Sequence, residues 1–240
     1  MIVVVPMAGR GSRYANRGYE TPKPLIEVAG KPMLEHALRS LEDVDFTTIV
    51  FVALREHEEQ FGFSSWLKER FGDAMKLVLL DDVTEGQLCT VLEASPYIPD
   101  SEDVLVISSD TYIKSAIGSH IKEKEGEVKG IISVIDLPGD RWSFARTDAD
   151  GRVVEVAEKN RISNHASTGI YYFSSGRELK EMGQEMINGD ERTLNEFYVI
   201  PLYQKMIARG MEIRISEADE MWDMGTPEAK LEFEKKLGYV

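Results

Sequence analysis

Ile2-Val3-Val4-Val5-Pro6-Met7-Ala8-Gly9-Arg10-Gly11-Ser12-Arg13 sets four β-branched residues directly ahead of a loop carrying two glycines and two arginines. The apolar run reads as a strand over Ile2–Pro6. Glycines after a strand let the backbone approach a ligand closely with its amides turned inward. Two cations on the same loop neutralise what amides cannot, so the chemistry is that of anion binding. No Gly-Lys-Ser/Thr follows at the spacing of a Walker loop, and Tyr14 stands where a dinucleotide fingerprint needs its third glycine. ATP hydrolysis and nicotinamide redox chemistry therefore fall in rank.

Outward from this loop, short β-branched runs alternate with amphipathic stretches. Strands are expected at Thr48–Ala53, Lys76–Leu80 and Val104–Ser108, and helices at Met33–Leu41, Phe61–Phe71 and Gln87–Ala94. In the second half the spacing predicts strands at Gly130–Ile135, Arg152–Val156, Thr168–Phe173 and Glu212–Ser216, and helices at Glu178–Ile187, Leu194–Ala208 and from Pro227. This order implies an α/β, Rossmann-like nucleotide-binding fold with a mixed, mostly parallel central sheet flanked by helices. At 240 residues a single domain is expected, its nucleotide-binding half over about 1–110 and its acceptor-binding half over about 111–240.

The formal net charge of −14 works against broad contact with nucleic acid or anionic membrane, so any phosphate site must be a local cationic pocket in an acidic protein. The only cysteine, Cys89, allows no internal disulfide and reads as a small core hydrophobe. No apolar run is long enough for a signal peptide or membrane span, and a cytoplasmic location is expected.

Beyond the loop comes Thr21-Pro22-Lys23-Pro24-Leu25-Ile26-Glu27-Val28-Ala29-Gly30-Lys31-Pro32-Met33. Together with Gly9-Arg10-Gly11-Ser12-Arg13 it closely resembles the signature of the sugar-phosphate nucleotidyltransferases, the NDP-sugar pyrophosphorylase-like family: Gly-x-Gly-Ser/Thr-Arg, Pro-Lys-Pro, then Gly-Lys-Pro-Met. One departure is Pro6-Met7 where many members have Leu-Ala, as in a subset close to capsule and cell-wall enzymes. The resemblance implies that Arg13 holds the leaving pyrophosphate and that Lys23 bridges the α-phosphate and the attacking phosphate, both as catalytic residues. Ala8, Gly9, Gly11 and Ser12 would form the nucleotide-binding loop.

Phosphoryl-type transfer needs a divalent cation, and Mg²⁺ is commonly held by one or two carboxylates plus substrate phosphates. Asp110 follows the Val104–Ser109 run, and Asp223 sits in Trp222-Asp223-Met224-Gly225-Thr226-Pro227, with Thr226 as helix N-cap and Pro227 in the first turn. The same aspartates stand in the resembling motifs, a strand-end Asp and Trp-x-Asp-x-Gly-Thr-Pro, although here the tryptophan directly precedes the acid. Both are assigned to Mg²⁺. Asp81, Asp82 and Asp103 read as turn acids, and the four histidines lack ligand spacing.

Gly86, in Thr84-Glu85-Gly86-Gln87, matches a segment that packs on the nucleobase in the resembling family. Asp81 aligns where pyrimidine-using members place glutamine, a hint towards CTP or UTP. Glu158, Lys159 and Gly169 match the acceptor-binding pattern Glu-Lys followed by Gly-x-Tyr-x-Phe. Glu196–Tyr203 also resembles a family segment and reads as a structural helix. The expected reaction joins a nucleoside triphosphate to a sugar 1-phosphate, giving an NDP-sugar for polysaccharide biosynthesis and pyrophosphate. The alternatives are a cytidylyltransferase acting on an alcohol phosphate such as choline phosphate, or a catalytically silent regulatory subunit of the same fold. A glycosyltransferase fits the Arg13 and Lys23 pair less well. Partners are the triphosphate and a phosphorylated small-molecule acceptor, with neither nucleic acid nor membrane; a homo-oligomer is compatible with the sequence but not indicated by it.

Overall fold

The computed structural model describes residues 1–240, and its first strand, β1 (Ile2–Pro6), is buried on both faces. A one-turn helix α1 (Ser12–Ala15) follows, then a two-residue hairpin of β2 (Glu27–Val28) and β3 (Lys31–Pro32) leading into α2 (Met33–Leu38). The chain continues through β4 (Thr48–Leu54), α3 (Arg55–Phe61), α4 (Phe63–Phe71), β5 (Met75–Leu80) and α5 (Gln87–Leu92). Next come β6 (Val104–Val106), β7 (Thr111–Ser115), α6 (Ile117–Glu123), β8 (Val128–Asp136), β9 (Ser143–Thr147), β10 (Val153–Glu158) and β11 (His165–Phe173). Helices α7 (Gly176–Asn188) and α8 (Pro201–Ala208), strand β12 (Glu212–Asp223) and helix α9 (Pro227–Lys236) complete it.

Along the main sheet the order is β5-β4-β1-β6-β11-β8-β12-β7, with β9 and β10 branching from β11. Strands β5, β4, β1 and β6 are parallel, β11 runs against its neighbours, and β12 is parallel to β8 and antiparallel to β7. The expected mixed, mostly parallel sheet flanked by helices is therefore present. Alternate residues of the central strands feed opposite cores. Val4, Val50 and Val106 pack beneath α5, α7 and α8, whereas Val3, Val5, Phe51 and Leu105 face α2, α4 and α6. Half-buried Cys89 packs against the first of these cores.

The arrangement of β1, β4 and β6 positions everything that follows. The chain leaves β1 for β4 on one side, then returns to β6 on the other, so the loops after β1 and β6 part at a topological switch point. Antiparallel pairing of β12 with β7 brings Asp223 opposite Thr111, and the Met224 amide donates to the Asp110 carbonyl at 2.9 Å. Two acids far apart in sequence thus become neighbours through one strand pairing. A small apolar cluster of Tyr14, Ile26, Val28, Met33, Met224 and Phe233 ties α1, the hairpin and α9 together behind them.

Several boundaries differ from the sequence reading. The expected helix at Leu194–Ala208 begins only at Pro201, because Leu194 and Asn195 adopt left-handed φ values of 51° and 69°. The backbone of that segment is spent elsewhere: Phe197 donates to Glu85 O at 3.1 Å and accepts from the Leu88 amide at 2.9 Å. Gly62, at φ 58°, splits Phe61–Phe71 between α3 and α4. Strand β6 stops at Val106, with the Ile107 amide still donating to Val4 of β1 at 3.0 Å before residues 108–110 leave the ladder, and the last strand runs on through its acidic stretch to Asp223 because β7 supplies a partner. Strands β7 and β9 carried too little alternating pattern to be read. No helix is long and apolar enough to cross a membrane.

Candidate active site

Gly11 adopts φ 61° and caps α1 from the left-handed region, turning the loop sharply after Arg10. A Cβ on Gly11 would lie 3.1 Å from Lys23 Cβ, so the glycine lets the two segments pack face to face. Lys23 opens a single 3₁₀ turn, Lys23–Leu25, between Pro22 and Pro24, which stiffens its backbone. From there its ammonium donates to Asp110 Oδ2 at 2.6 Å. The buried Tyr14 hydroxyl is shared between the carbonyls of Met224 (2.6 Å) and Thr226 (2.9 Å), clamping α1 to the turn after β12. As read from the sequence, Thr226 caps α9, its hydroxyl accepting from the Ala229 amide at 3.2 Å.

Gly225 marks the meeting point. A side chain begun there would find Asp223 Oδ1 at 2.7 Å, Asp110 Oδ2 at 3.3 Å and Arg13 Nη1 at 3.6 Å. With Lys23 already on Asp110, the four residues of the expected catalytic and metal set converge on one spot. Arg13 makes no hydrogen bond or ion pair of its own, leaving its guanidinium free for a ligand. Asp223 Oδ1 accepts from the Gly225 amide at 2.8 Å, and Oδ2 pairs with Arg141 at 3.1 Å.

The two carboxyls have opposite electrostatics. For Asp110, burial opposes ionisation most strongly, but the Lys23 charge and hydrogen bond, helped by Thr111 and the residue's own amide, together hold it below the usual carboxylate range. For Asp223, burial first and then the charge of Asp110 push the carboxyl up, only partly offset by the Gly225 amide, Arg141 and Lys23.

Beside this point opens a cleft of about 760 Å³. Ala8, Gly9, Arg10 and Gly11 line one wall, Ser108, Ser109 and Asp110 the floor with Lys23, and Val83–Gln87 with Thr90 the far wall. Ser12 and Arg13 stand outside that lining, on α1. Gly86 lines it, but a Cβ there would sit 2.5 Å from the Phe197 backbone nitrogen and oxygen, so the glycine is demanded by that chain crossing. Asp81 is not in the cleft: its exposed carboxylate accepts from Arg55 Nε at 2.7 Å, and the hint it gave about the base falls away. Asp82 pairs with Arg10 at 2.8 Å, and Asp103 accepts from Tyr172 at 2.6 Å, as befits acids outside a metal site.

The acceptor candidates lie beyond the cleft's edge. Glu158 accepts from the Ser143 hydroxyl, and burial raises its carboxyl above the usual range despite Ser143 and Lys159. Tyr171 lies beside it, its phenol pushed up to about 12 by burial. Lys159, at φ 51°, donates to the Tyr198 hydroxyl at 2.7 Å, and Tyr198 lines the cleft. Gly169, at φ 88°, sits where β11 slips register against β8, and a Cβ there would strike the Ser108 hydroxyl at 2.4 Å. The glycine is thus required by the register slip and by its contact with Ser108.

Sequence reasoning missed Arg141, Arg192, Asn195, Glu196 and Tyr198. The last four line the cleft: Asn195, Glu196 and Tyr198 lie on the segment read as helix, and Arg192, just ahead of it, is paired to Glu85. Pro201 was the available signal that the helix starts later.

A family profile described as nucleotidyl transferase matches residues 2–238. The chain belongs to the nucleotidyl transferase family. It is similar to the bifunctional protein GlmU of Methanocaldococcus jannaschii, 26% identical over 175 residues that span 72% of this chain and 40% of that relative. A nucleoside-diphosphate-sugar pyrophosphorylase from Vibrio cholerae superposes with a TM-score of 0.83 at 26% identity, covering 97% of this chain and 99% of the other. A putative glucose-1-phosphate thymidylyltransferase from Bacillus anthracis, with a bound sucrose, shares the fold at TM-score 0.81 and 19% identity, covering 99% of this chain and 94% of its own.

Proposed function

We propose that this nucleotidyl transferase joins a nucleoside triphosphate to a sugar 1-phosphate, releasing pyrophosphate and an NDP-sugar. The observation that carries the reading is the convergence of Arg13, Lys23, Asp110 and Asp223 around Gly225, at the mouth of a glycine-walled cleft. The family name and the sugar-nucleotide activities named for the relatives point the same way.

The reaction needs little covalent chemistry from the protein. A phosphate oxygen of the acceptor attacks the α-phosphorus in line, the bond from the α-phosphorus to the bridging oxygen breaks, and that oxygen leaves with pyrophosphate. The attacking phosphate is already anionic near neutral pH, so no general base is required. Catalysis is positioning plus charge neutralisation. The amides of the Gly9–Gly11 loop cradle the triphosphate, Lys23 steadies the α-phosphate against the attacking oxygen, and Arg13 receives the charge that develops on pyrophosphate.

The donor set fits Mg²⁺, since Asp110 and Asp223 offer hard carboxylate oxygens at one point. No third acid, histidine or cysteine joins them, so substrate phosphates and water would complete the coordination. When bound, Mg²⁺ supplies neutralisation of the crowded phosphate oxygens.

On the acceptor side, Glu158 with Ser143 and Tyr171 offers hydroxyl-recognising groups, and Lys159 a phosphate partner. This favours a sugar phosphate over choline phosphate. Tyr198 already carries the Lys159 ammonium at 4.8 Å from its ring centre, a position that a quaternary ammonium would have to contest. The test is to incubate the protein with Mg²⁺, each common triphosphate and a panel of sugar and alcohol phosphates, and to measure pyrophosphate release. Turnover should require a sugar 1-phosphate; release with choline phosphate alone, or with none, rejects the reading.

A further inference from the structure

Arg141 reaches the acidic pair from an unexpected direction. It lies in the turn of residues 137–142 between β8 and β9, and that turn is pinned from one side by Arg161. Arg161 Nη1 donates to the carbonyls of Leu137 at 2.6 Å and Gly139 at 2.9 Å, while the Trp142 indole closes the turn onto Pro138 at 3.3 Å. Held in this way, the Arg141 guanidinium rests 4.1 Å over the Trp142 ring and meets Asp223 Oδ2 at 3.1 Å. Its side chain is 54% exposed and that of Asp223 only 16%, so the arginine is the partner free to leave.

The charges around the pair balance without help. Lys23 answers Asp110 and Arg141 answers Asp223. A divalent cation placed on both acids would stand within a few ångströms of a guanidinium still on Asp223, and at that range like charges repel strongly in a half-buried site. Lys23 is stiffened by its prolines and packed on Gly11; Arg141 has only the ring of Trp142 and the acid itself.

We propose that Arg141 is a placeholder cation, which neutralises Asp223 in the metal-free protein and is displaced from it when a divalent cation binds. The inference rests on the metal role assigned above to Asp110 and Asp223. It makes Arg141 a positioning residue: it keeps the acids in place between turnovers, and once released it stands at the edge of the reacting phosphates.

The experiment is a calorimetric titration of the full chain with Mn²⁺, without substrates, comparing wild type, Arg141→Gln and Arg141→Lys. The glutamine variant should bind Mn²⁺ about three- to tenfold more tightly, the range expected when a partly exposed competing ion pair is removed. The lysine variant, which keeps the charge, should stay near wild type and shows that the turn still folds. In parallel, Mg²⁺ should change the tryptophan emission of wild type as the guanidinium leaves Trp142, and Trp142→Phe should remove most of that change. Equal or weaker Mn²⁺ affinity in Arg141→Gln overturns the placeholder role while leaving the metal site standing. If wild type binds no Mn²⁺ even with a triphosphate present, or if Asp223→Asn binds it equally well, the metal assignment fails and this inference with it.

Discussion

Lys23→Ala removes a cation to which two separable jobs are assigned, the pairing with Asp110 and the proposed role in transfer. In the free protein its ammonium sits 2.6 Å from Asp110 Oδ2, and the two side chains are 26% and 20% exposed. Breaking a fully buried pair costs about 3–5 kcal/mol, and partial solvent access reduces this to roughly 1–3 kcal/mol here. Asp110→Asn should cost a similar amount by stranding the lysine. Because each single change leaves the other group unpaired, the double variant should be more stable than the summed losses imply, with a coupling of about 1–2 kcal/mol. In the reaction, removal of one preorganised charge donor is worth about 10²–10³ in rate, so turnover should collapse in all three variants while stability partly recovers in the double. Urea unfolding and pyrophosphate release read the two quantities independently. The reasoning is refuted if Lys23→Ala keeps a rate within about fivefold of wild type, far short of the roughly 10²–10³ expected. Strictly additive stabilities would refute the pairing.

Gly225→Ala should fold but lose about 100-fold or more in turnover, because its methyl would stand 2.7 Å from Asp223 Oδ1 and 3.3 Å from Asp110 Oδ2, displacing both acids; steady-state rates and Mn²⁺ affinity check this. The two acids should also respond oppositely to neutralisation in metal-free protein. Asp223, held above its ordinary range by burial and by Asp110, favours folding only while protonated and penalises it as pH rises through its folded-state value, so Asp223→Asn should raise Tm near neutral pH. Asp110, held below its range once Lys23 outweighs burial, contributes stability above the unfolded carboxylate value and loses it as pH falls through the folded one. Asp110→Asn should accordingly lower Tm at neutral pH, and the gap should close in acid; melting curves from acid to neutral pH decide.

The glycine loop, Pro22-Lys23-Pro24 and both aspartates were legible because their chemistry is local: backbone turns, flanking prolines and strand ends announce themselves in a few residues. The central strands were legible for the same reason, since a both-sides-buried run such as Ile2–Val5 is continuous in sequence. What stayed hidden depends on distant pairing. Strand β7 acquires its identity from β12, and β12 extends through Ala218–Asp223 only because β7 is there. Segment 194–200 surrenders its helix to hydrogen bonds with residues 85–88, which no periodicity encodes. Arg141 meets Asp223 through a turn whose shape is set by Arg161. Asp81 shows the converse error, a plausible alignment to a base pocket undone by an exposed pairing with Arg55.

The central claim is that the Gly225 cluster transfers a nucleotidyl group. Following a triphosphate labelled at the α-phosphorus, in the presence of Mg²⁺ and a sugar 1-phosphate, tests it directly. The expected result is that the label moves into an NDP-sugar while unlabelled pyrophosphate is released, and that Arg13→Ala and Asp223→Ala abolish the transfer. Label appearing in free nucleoside monophosphate or diphosphate, or transfer that survives both substitutions, would contradict it.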